Sequence, residues 1–142
     1  MKTVRDILNA KGRDVWFVGP ENTVFEALRR MSEKEIGALV VMDGARVAGI
    51  ISERDYARKV VLLGRTSPNT LVREIMTSHV AYTHLDQSVE ECMAIMTDKR
   101  FRHLPVIQDN HLVGIVSLGD LVKAIISEQQ FIIAQLERYI TS

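Results

Sequence analysis

Apolar residues along this chain alternate between two periods, and the alternation happens twice. Val24, Ala27, Leu28 and Met31 recur at helical spacing, and so do Val89, Cys92, Met93 and Met96. Each stripe opens on a hydroxyl with a glutamate three positions later, Thr23 with Glu26 and Ser88 with Glu91. That is the pattern of a capping box at a helix start. Two short apolar runs follow each stripe, over residues 39–42 and 47–51 and again over 104–107 and 112–116. Their length and their β-branched content predict paired strands. Asp43-Gly44, a favoured tight-turn dipeptide, parts the first pair, and Asp109-Asn110 parts the second. Pro105 lacks a ladder donor, so its strand is expected to be an edge or to carry a bulge there. A second helix closes each unit, over about 53–63 and from about 118 onward. Residues 3–10 predict a short helix or turn that returns at 71–77. The predicted order is β-α-β-β-α, twice.

The two halves share one register. Val15/Val80, Val24/Val89, Glu26/Glu91, Met31/Met96, Leu39/Leu104 and Val41/Val106 all lie 65 positions apart, as 80 − 15. Upstream, Val4 and Val72 are 68 apart (72 − 4), so three residues are missing before Val80. A gapless register over that length marks an internal repeat. The expected organisation is a first repeat over 1–63, a linker over 64–71, a second repeat over 72–127 and a helical extension over 128–142. A unit of about sixty residues is close to the smallest that folds alone. Two such units, each with a one-sided apolar sheet, gain by packing those faces together. This predicts an α/β or α+β module with pseudo-two-fold symmetry, one continuous core and two equivalent clefts. The last helix carries Ile125, Phe131, Ile132, Ile133, Leu136 and Ile140, more apolar surface than an exposed tail should carry, so self-association is expected.

Composition narrows the partners. Hydrophobic residues make up 46% and charged ones 25%, as in a soluble globular protein. Eighteen basic residues balance eighteen acidic ones, which disfavours bulk binding to nucleic acid or anionic membranes. The sequence offers no long apolar run or signal-type h-region, and Cys92 is alone, so a cytoplasmic protein is expected. His79, His84, His103 and His111 are scattered without metal-ligand spacing. Cys92 falls on the apolar stripe of its helix and belongs in the core, and Trp16 and Tyr82 are expected in core or dimer packing. No P-loop, GxGxxG or nucleophile elbow occurs.

The most specific repeated stretch is Gly49-Ile50-Ile51-Ser52-Glu53-Arg54-Asp55, which returns as Gly114-Ile115-Val116-Ser117-Leu118-Gly119-Asp120. Two readings of it stand. Ser52 with Asp55 and Ser117 with Asp120 fit two further capping boxes. Alternatively, each aspartate offers two oxygens to the hydroxyls of a ribose, beside a helix N-terminus suited to a phosphate. The use of Asp where the other boxes use Glu favours the second reading. So does the glycine, which lets another group approach the backbone. Cations differ between the copies. Arg54 lies in the first motif where the second has Gly119, and Arg102-His103 stand where the first copy has Gly37-Ala38. Two non-equivalent anion sites are therefore expected.

The doubled β-α-β-β-α unit, the Leu104-Pro105-Val106 strand and the paired Gly-Ile-(Ile/Val)-Ser-x-x-Asp resemble a tandem pair of CBS domains, the cystathionine-β-synthase type. The resemblance runs from about Val4 to Ile126. It implies a disc-like module, often homodimeric, that binds adenosyl ligands such as AMP, ADP, ATP, NAD(H) or S-adenosylmethionine. Carried over by position, Asp55 and Asp120 hold ribose hydroxyls, and Ser52 and Ser117 contact ribose or phosphate. Arg54, Arg102 and His103 face phosphates, and Val15, Val80, Ala38 and Leu104 line the adenine slot. The implied function is a non-enzymatic sensor of adenine nucleotide, AMP first and then NAD(H) or ATP, acting on a downstream protein. The alternative is a purely structural interaction or dimerisation module whose serine–aspartate pairs are helix caps.

Overall fold

The computed structural model describes residues 2–141. Met1 and Ser142, the outer limits of the first repeat and of the C-terminal extension, lie outside the described residues. The chain forms two compact units, one of residues 15–80 and one of residues 1–14 with 81–142. We call them the first-copy and second-copy units.

In the first-copy unit, β1 (Phe17–Val18) leads to α2 (Val24–Lys34), β2 (Ala38–Asp43), β3 (Arg46–Ser52) and α3 (Glu53–Tyr56). The element α1 (Val4–Lys11) precedes them in sequence but packs in the other unit. The sheet order is β1-β2-β3, with β1 parallel to β2 and β2 antiparallel to β3. A π-helical turn, Ala57–Val61, extends α3, and α4 (Val72–Ile75) ends the unit. Val18, Val24, Met31, Leu39, Ile51 and Ile75 meet in its core.

The second-copy unit joins α1 to α5 (Val89–Lys99), β4 (His103–Gln108), β5 (His111–Ser117) and α6 (Leu118–Thr141). Its core gathers Leu8, Val89, Cys92, Leu104, Val116 and Leu121. The equivalent of β1 is reduced to a parallel bridge from Thr83 to Val106, in the register of Val18 on Val41.

Each short N-terminal helix is therefore stitched to the copy other than its own sequence repeat. The reason is visible in the backbone. Val4 N donates to Gln87 O (2.9 Å) and Arg5 N to Leu85 O (3.0 Å), while Val72 N donates to Asn22 O (2.8 Å) and Arg73 N to Pro20 O (3.0 Å). The two pairs of bonds are one motif used twice. Val4, Ile7 and Leu8 then bury one face of α1. Compact units and sequence repeats consequently have different boundaries.

Several local expectations are met in altered form. The strand with Pro105 is not an edge, because β5 pairs with it on one side and Thr83 on the other. A register shift follows at Val106/Ile107, but the proline-free first copy shifts at the matching Val41/Met42, so proline is not its cause. Pro105 O accepts from Thr83 N at 3.0 Å. The nitrogen and carbonyl of one strand residue point to the same side, so the missing N–H faces away from β5 and costs that ladder nothing. The hairpin turns also differ. Asp109 and Asn110 both take positive φ, as type I′ requires, whereas in the first copy only Gly44 does, as in type II′.

Ser88 with Glu91 forms the full capping box, but at Thr23 only half of it is present. Thr23 Oγ1 accepts from Glu26 N at 3.1 Å, while the Glu26 carboxylate takes the Asn22 amide. Trp16 and Tyr82 are not core residues, being 40% and 47% exposed. Trp16 instead lies under the Lys34 ammonium, 4.0 Å from the ring centroid. Cys92 is fully buried, as its place on the stripe predicts, against Thr83 Oγ1 at 3.3 Å. The closing helix of the second copy and the C-terminal extension are one unbroken helix, α6.

Candidate functional site

In both copies a β-hairpin strand runs directly into a helix, and the Ser-x-x-Asp motif sits at that junction. Leu118 N donates to Arg102 O (2.9 Å) and Glu53 N to Gly37 O (3.1 Å), so each helix start is fixed to the residue preceding the neighbouring strand. This bond, with the His103–Ser117 and Ala38–Ser52 pairings, determines which side chains surround the aspartate. The capping-box geometry is present at both. Ser52 N donates to Asp55 Oδ2 (2.9 Å) and Asp55 N to Ser52 Oγ (3.2 Å). Ser117 N donates to Asp120 Oδ2 (2.8 Å) and Asp120 N to Ser117 Oγ (3.1 Å).

Each carboxylate also holds a lysine, and neither lysine was visible in the motif. Lys59 approaches Asp55 Oδ1 at 3.3 Å and donates to Ile75 O at 2.9 Å. Lys11 donates to Asp120 Oδ2 at 2.7 Å and to Ile115 O at 3.0 Å. Lys59 stands four residues after Asp55 on one helix, a spacing that sequence reading detects. Lys11 is separated from Asp120 by 109 residues, and only the packing of α1 brings it there.

In the second-copy unit, four of the expected residues meet. Arg102, His103, Ser117 and Asp120 line one pocket of ≈ 770 Å³, with Leu118, Val122 and Ile126 as its apolar wall and Lys123 at its edge. Burial pushes the Asp120 carboxyl up, but the Lys11 ammonium and the Ser117 amide outweigh it and hold the group below the usual carboxylate range. For His103, burial pushes the imidazole below its ordinary value. Asp120 opposes this, and the positive charges of Lys11 and Arg102 reinforce it.

The remaining residues divide. Ser52 and Asp55 are half-buried together, with Arg54 exposed beside them on α3. Ala38 is 6% exposed and Leu104 has no exposed surface at all, its side chain being part of the core. Val15 and Val80 are half-buried and lie outside the strands, at the two ends of the first-copy unit.

The motif glycines admit a close approach, but the group that approaches belongs to the chain itself. A Cβ on Gly49 would stand 2.5 Å from Thr77 O, and one on Gly114 would stand 2.7 Å from Leu8 Cδ1. Thr77 pairs with Ile50 through two backbone bonds, which accounts for the first of these contacts. The glycines therefore serve packing, and they do not distinguish a ligand site from a helix cap.

Two copies of one hairpin-and-helix unit, each presenting a serine and an aspartate at a helix start, define a tandem-repeat module. The CBS domain model matches residues 4–62 and again 72–127, and the chain belongs to the CBS-domain family. It is 37% identical, over 97% of its length and 71% of the relative's, to a mitochondrial CBS-domain-containing protein of Arabidopsis thaliana. Among solved structures, a CBS-domain protein from Burkholderia ambifaria MC40-6 aligns with TM-score 0.86 at 51% identity, covering 90% of this chain and 96% of that one. A CBS domain pair in complex with 5′-methylthioadenosine and S-adenosyl-L-methionine aligns with TM-score 0.78 at 25% identity, covering 90% and 98%.

Proposed function

We propose that this protein is a non-enzymatic regulatory module that binds an adenine nucleotide, with AMP the first candidate and NAD(H) or ATP next. The observation that carries this reading is the pocket shared by Arg102, His103, Ser117 and Asp120. It offers a carboxylate for ribose hydroxyls, the Arg102 guanidinium and the His103 imidazole for phosphate and an apolar wall for the base. Such a mixture of apolar surface and a few convergent polar groups is how small-ligand sites are built. The apolar contact comes from Leu118, Val122 and Ile126, and Leu104 acts only through its backbone and as support. In the first-copy unit, Ser52, Arg54 and Asp55 are the corresponding polar groups, with Val15, Val80 and Ala38 near the base. A related CBS pair crystallised with two adenosyl ligands supports the class of ligand.

The chain regulates by assembly or through a downstream protein. On α6, Phe131, Ile132, Ile133, Leu136 and Ile140 are each more than half exposed, whereas Ile125, expected with them, packs against the core. That surface suits a second copy of the chain, and a homodimer is the proposed state. Among the described residues no helix is long and apolar enough to cross a membrane. A free, buried Cys92 suits the reducing cytoplasm.

One observation favours the structural alternative: both serine–aspartate pairs already form complete capping boxes. A thermal-shift titration with AMP, ATP, NAD, NADH and S-adenosylmethionine separates the two readings, run on the wild type, Asp120→Ala and Asp120→Asn. Nucleotide binding raises the wild-type midpoint by linkage. Both variants lose the second-copy site's share of that rise, while Asp120→Asn, which keeps an acceptor for the Ser117 amide, retains more of the wild-type unliganded midpoint than Asp120→Ala does. A wild-type midpoint unmoved by every ligand overturns the proposal in favour of the structural module, and one moved equally in all three proteins removes Asp120 from the ligand site.

A further inference from the structure

Lys11 lies beyond the proposed nucleotide pocket and holds the aspartate that the nucleotide would use, and the way it is held constrains which ligand can enter. Asp120 Oδ2 accepts two hydrogen bonds, from Lys11 Nζ at 2.7 Å and from Ser117 N at 2.8 Å. A carboxylate oxygen has two lone pairs, so Oδ2 is saturated. A vicinal diol captured by both carboxylate oxygens needs one of those bonds released. The Ser117 amide is fixed by the helix start, whereas Lys11 sits on a flexible four-carbon stem at the end of α1. The lysine is the bond that yields.

Its release carries a cost that depends on the ligand. The freed ammonium would keep the Ile115 carbonyl and stand near Lys2 and Lys123, with Asp120 turned to the diol and the carboxylate of Asp6 engaged by Thr3. An uncharged nucleoside leaves that positive charge without the ion pair it had with Asp120. A ligand with an anionic group supplies a new partner for it, and charge-assisted bonds are the stronger kind. Resting on the nucleotide-site reading above, we propose that Lys11 is a specificity-determining residue. It makes the second-copy site select adenosyl ligands bearing a phosphate over uncharged or cationic ones.

No equivalent device exists in the first copy. Lys59 lies on the other oxygen, Oδ1, at the longer distance of 3.3 Å, while Ser52 N and Ser52 Oγ fill Oδ2. The position matching Lys11 in the helix α4 register (11 + 68) is His79, which is exposed.

The test is isothermal titration of AMP and of adenosine into the wild type, Lys11→Met and Lys11→Arg, with Asp55→Ala in each background so that the second-copy site is read. Wild-type protein is expected to favour AMP over adenosine by about tenfold or more, the scale of one hydrogen bond to a charged group. Lys11→Met removes most of that preference from both sides, by tightening adenosine and weakening AMP. Lys11→Arg keeps the preference. If Lys11→Met changes both affinities by the same factor, Lys11 does not discriminate and the inference falls while the nucleotide site stands. If neither ligand binds any of the proteins, the site reading itself fails and takes the inference with it.

Discussion

Asp55 and Asp120 occupy one position of one repeated motif, yet their surroundings have diverged. Asp120 is held by a lysine 109 residues away, next to Arg102 and His103. Asp55 is held by Lys59 on its own helix, and the matching strand start offers Gly37 and Ala38 instead of two basic residues. The helix that follows also differs, α6 continuing for 24 residues where α3 gives way to a π turn after four. The lesson is that the backbone junction is the repeated part, and the charge around it is free to vary. A hairpin feeding a capped helix needs only the Gly-Ile-x-Ser-x-x-Asp frame. Once that frame exists, each copy acquires its cations from whichever segment packs nearby.

This comparison can be broken at its glycines first. Gly49 faces a backbone oxygen, which cannot move without disturbing the Ile50–Thr77 pairing, whereas Gly114 faces the far end of the Leu8 side chain. Gly49→Ala should therefore cost about 3 kcal/mol, and Gly114→Ala only about 1 kcal/mol, since rotamer adjustment of Leu8 relieves the contact. Urea denaturation of the two variants measures the difference. Equal losses would mean that the two approaches are mechanically alike.

The caps should behave alike where the glycines do not. Ser52→Ala and Ser117→Ala each remove the acceptor for an aspartate amide, at 3.2 and 3.1 Å, and each should cost about 1 kcal/mol. A much larger loss at one of them would show that its cap also anchors the rest of its unit. Thermal melts of both variants in ligand-free buffer read this directly.

The smallest effect sharpens the electrostatic contrast. The imidazole of His103 is held below its ordinary value by burial, against the pull of Asp120 and with Lys11 and Arg102 adding to it. The unfolded chain therefore binds its proton at a higher pH than the folded one. The stability from keeping this ring neutral is fully present above about pH 6.5 and is lost as pH falls from there toward the folded value. His103→Gln should flatten the midpoint-against-pH curve below about pH 6.5. Ala38, its first-copy counterpart, contributes nothing comparable. An unchanged curve in the variant would assign that pH dependence to other groups. The Asp120 carboxyl is depressed, so its contribution persists above about pH 3.9 and fades only below that.

Much of the fold was legible in the sequence because it depends on local period. The helical stripe at Val24, Ala27 and Met31 and its copy at Val89, Cys92 and Met96 are buried as their spacing requires. The hairpins at 38–52 and 103–117 follow from two apolar runs and a turn dipeptide. The serine–aspartate pairs were legible as a choice between cap and ligand site, and the cap hydrogen bonds are formed at both. The role of the glycines was not legible. Whether the space beside Gly49 is left for a ligand or for Thr77 depends on a neighbouring segment that no local pattern specifies.

By itself, the sequence determined the repeat, its register, the order of elements and the four polar residues at the two helix starts. These are properties of adjacent residues, set by backbone sterics, capping and the spacing of apolar side chains. Tertiary structure alone decided that α1 joins the copy other than its own, that Lys11 reaches Asp120, and that Leu118, Val122 and Ile126 supply the pocket's apolar wall. Each of those facts depends on two segments distant in sequence burying apolar surface against each other. Packing of that kind is chosen by the free energy of the whole unit, and the period of apolar residues on a segment marks the face that is covered, not the segment that covers it.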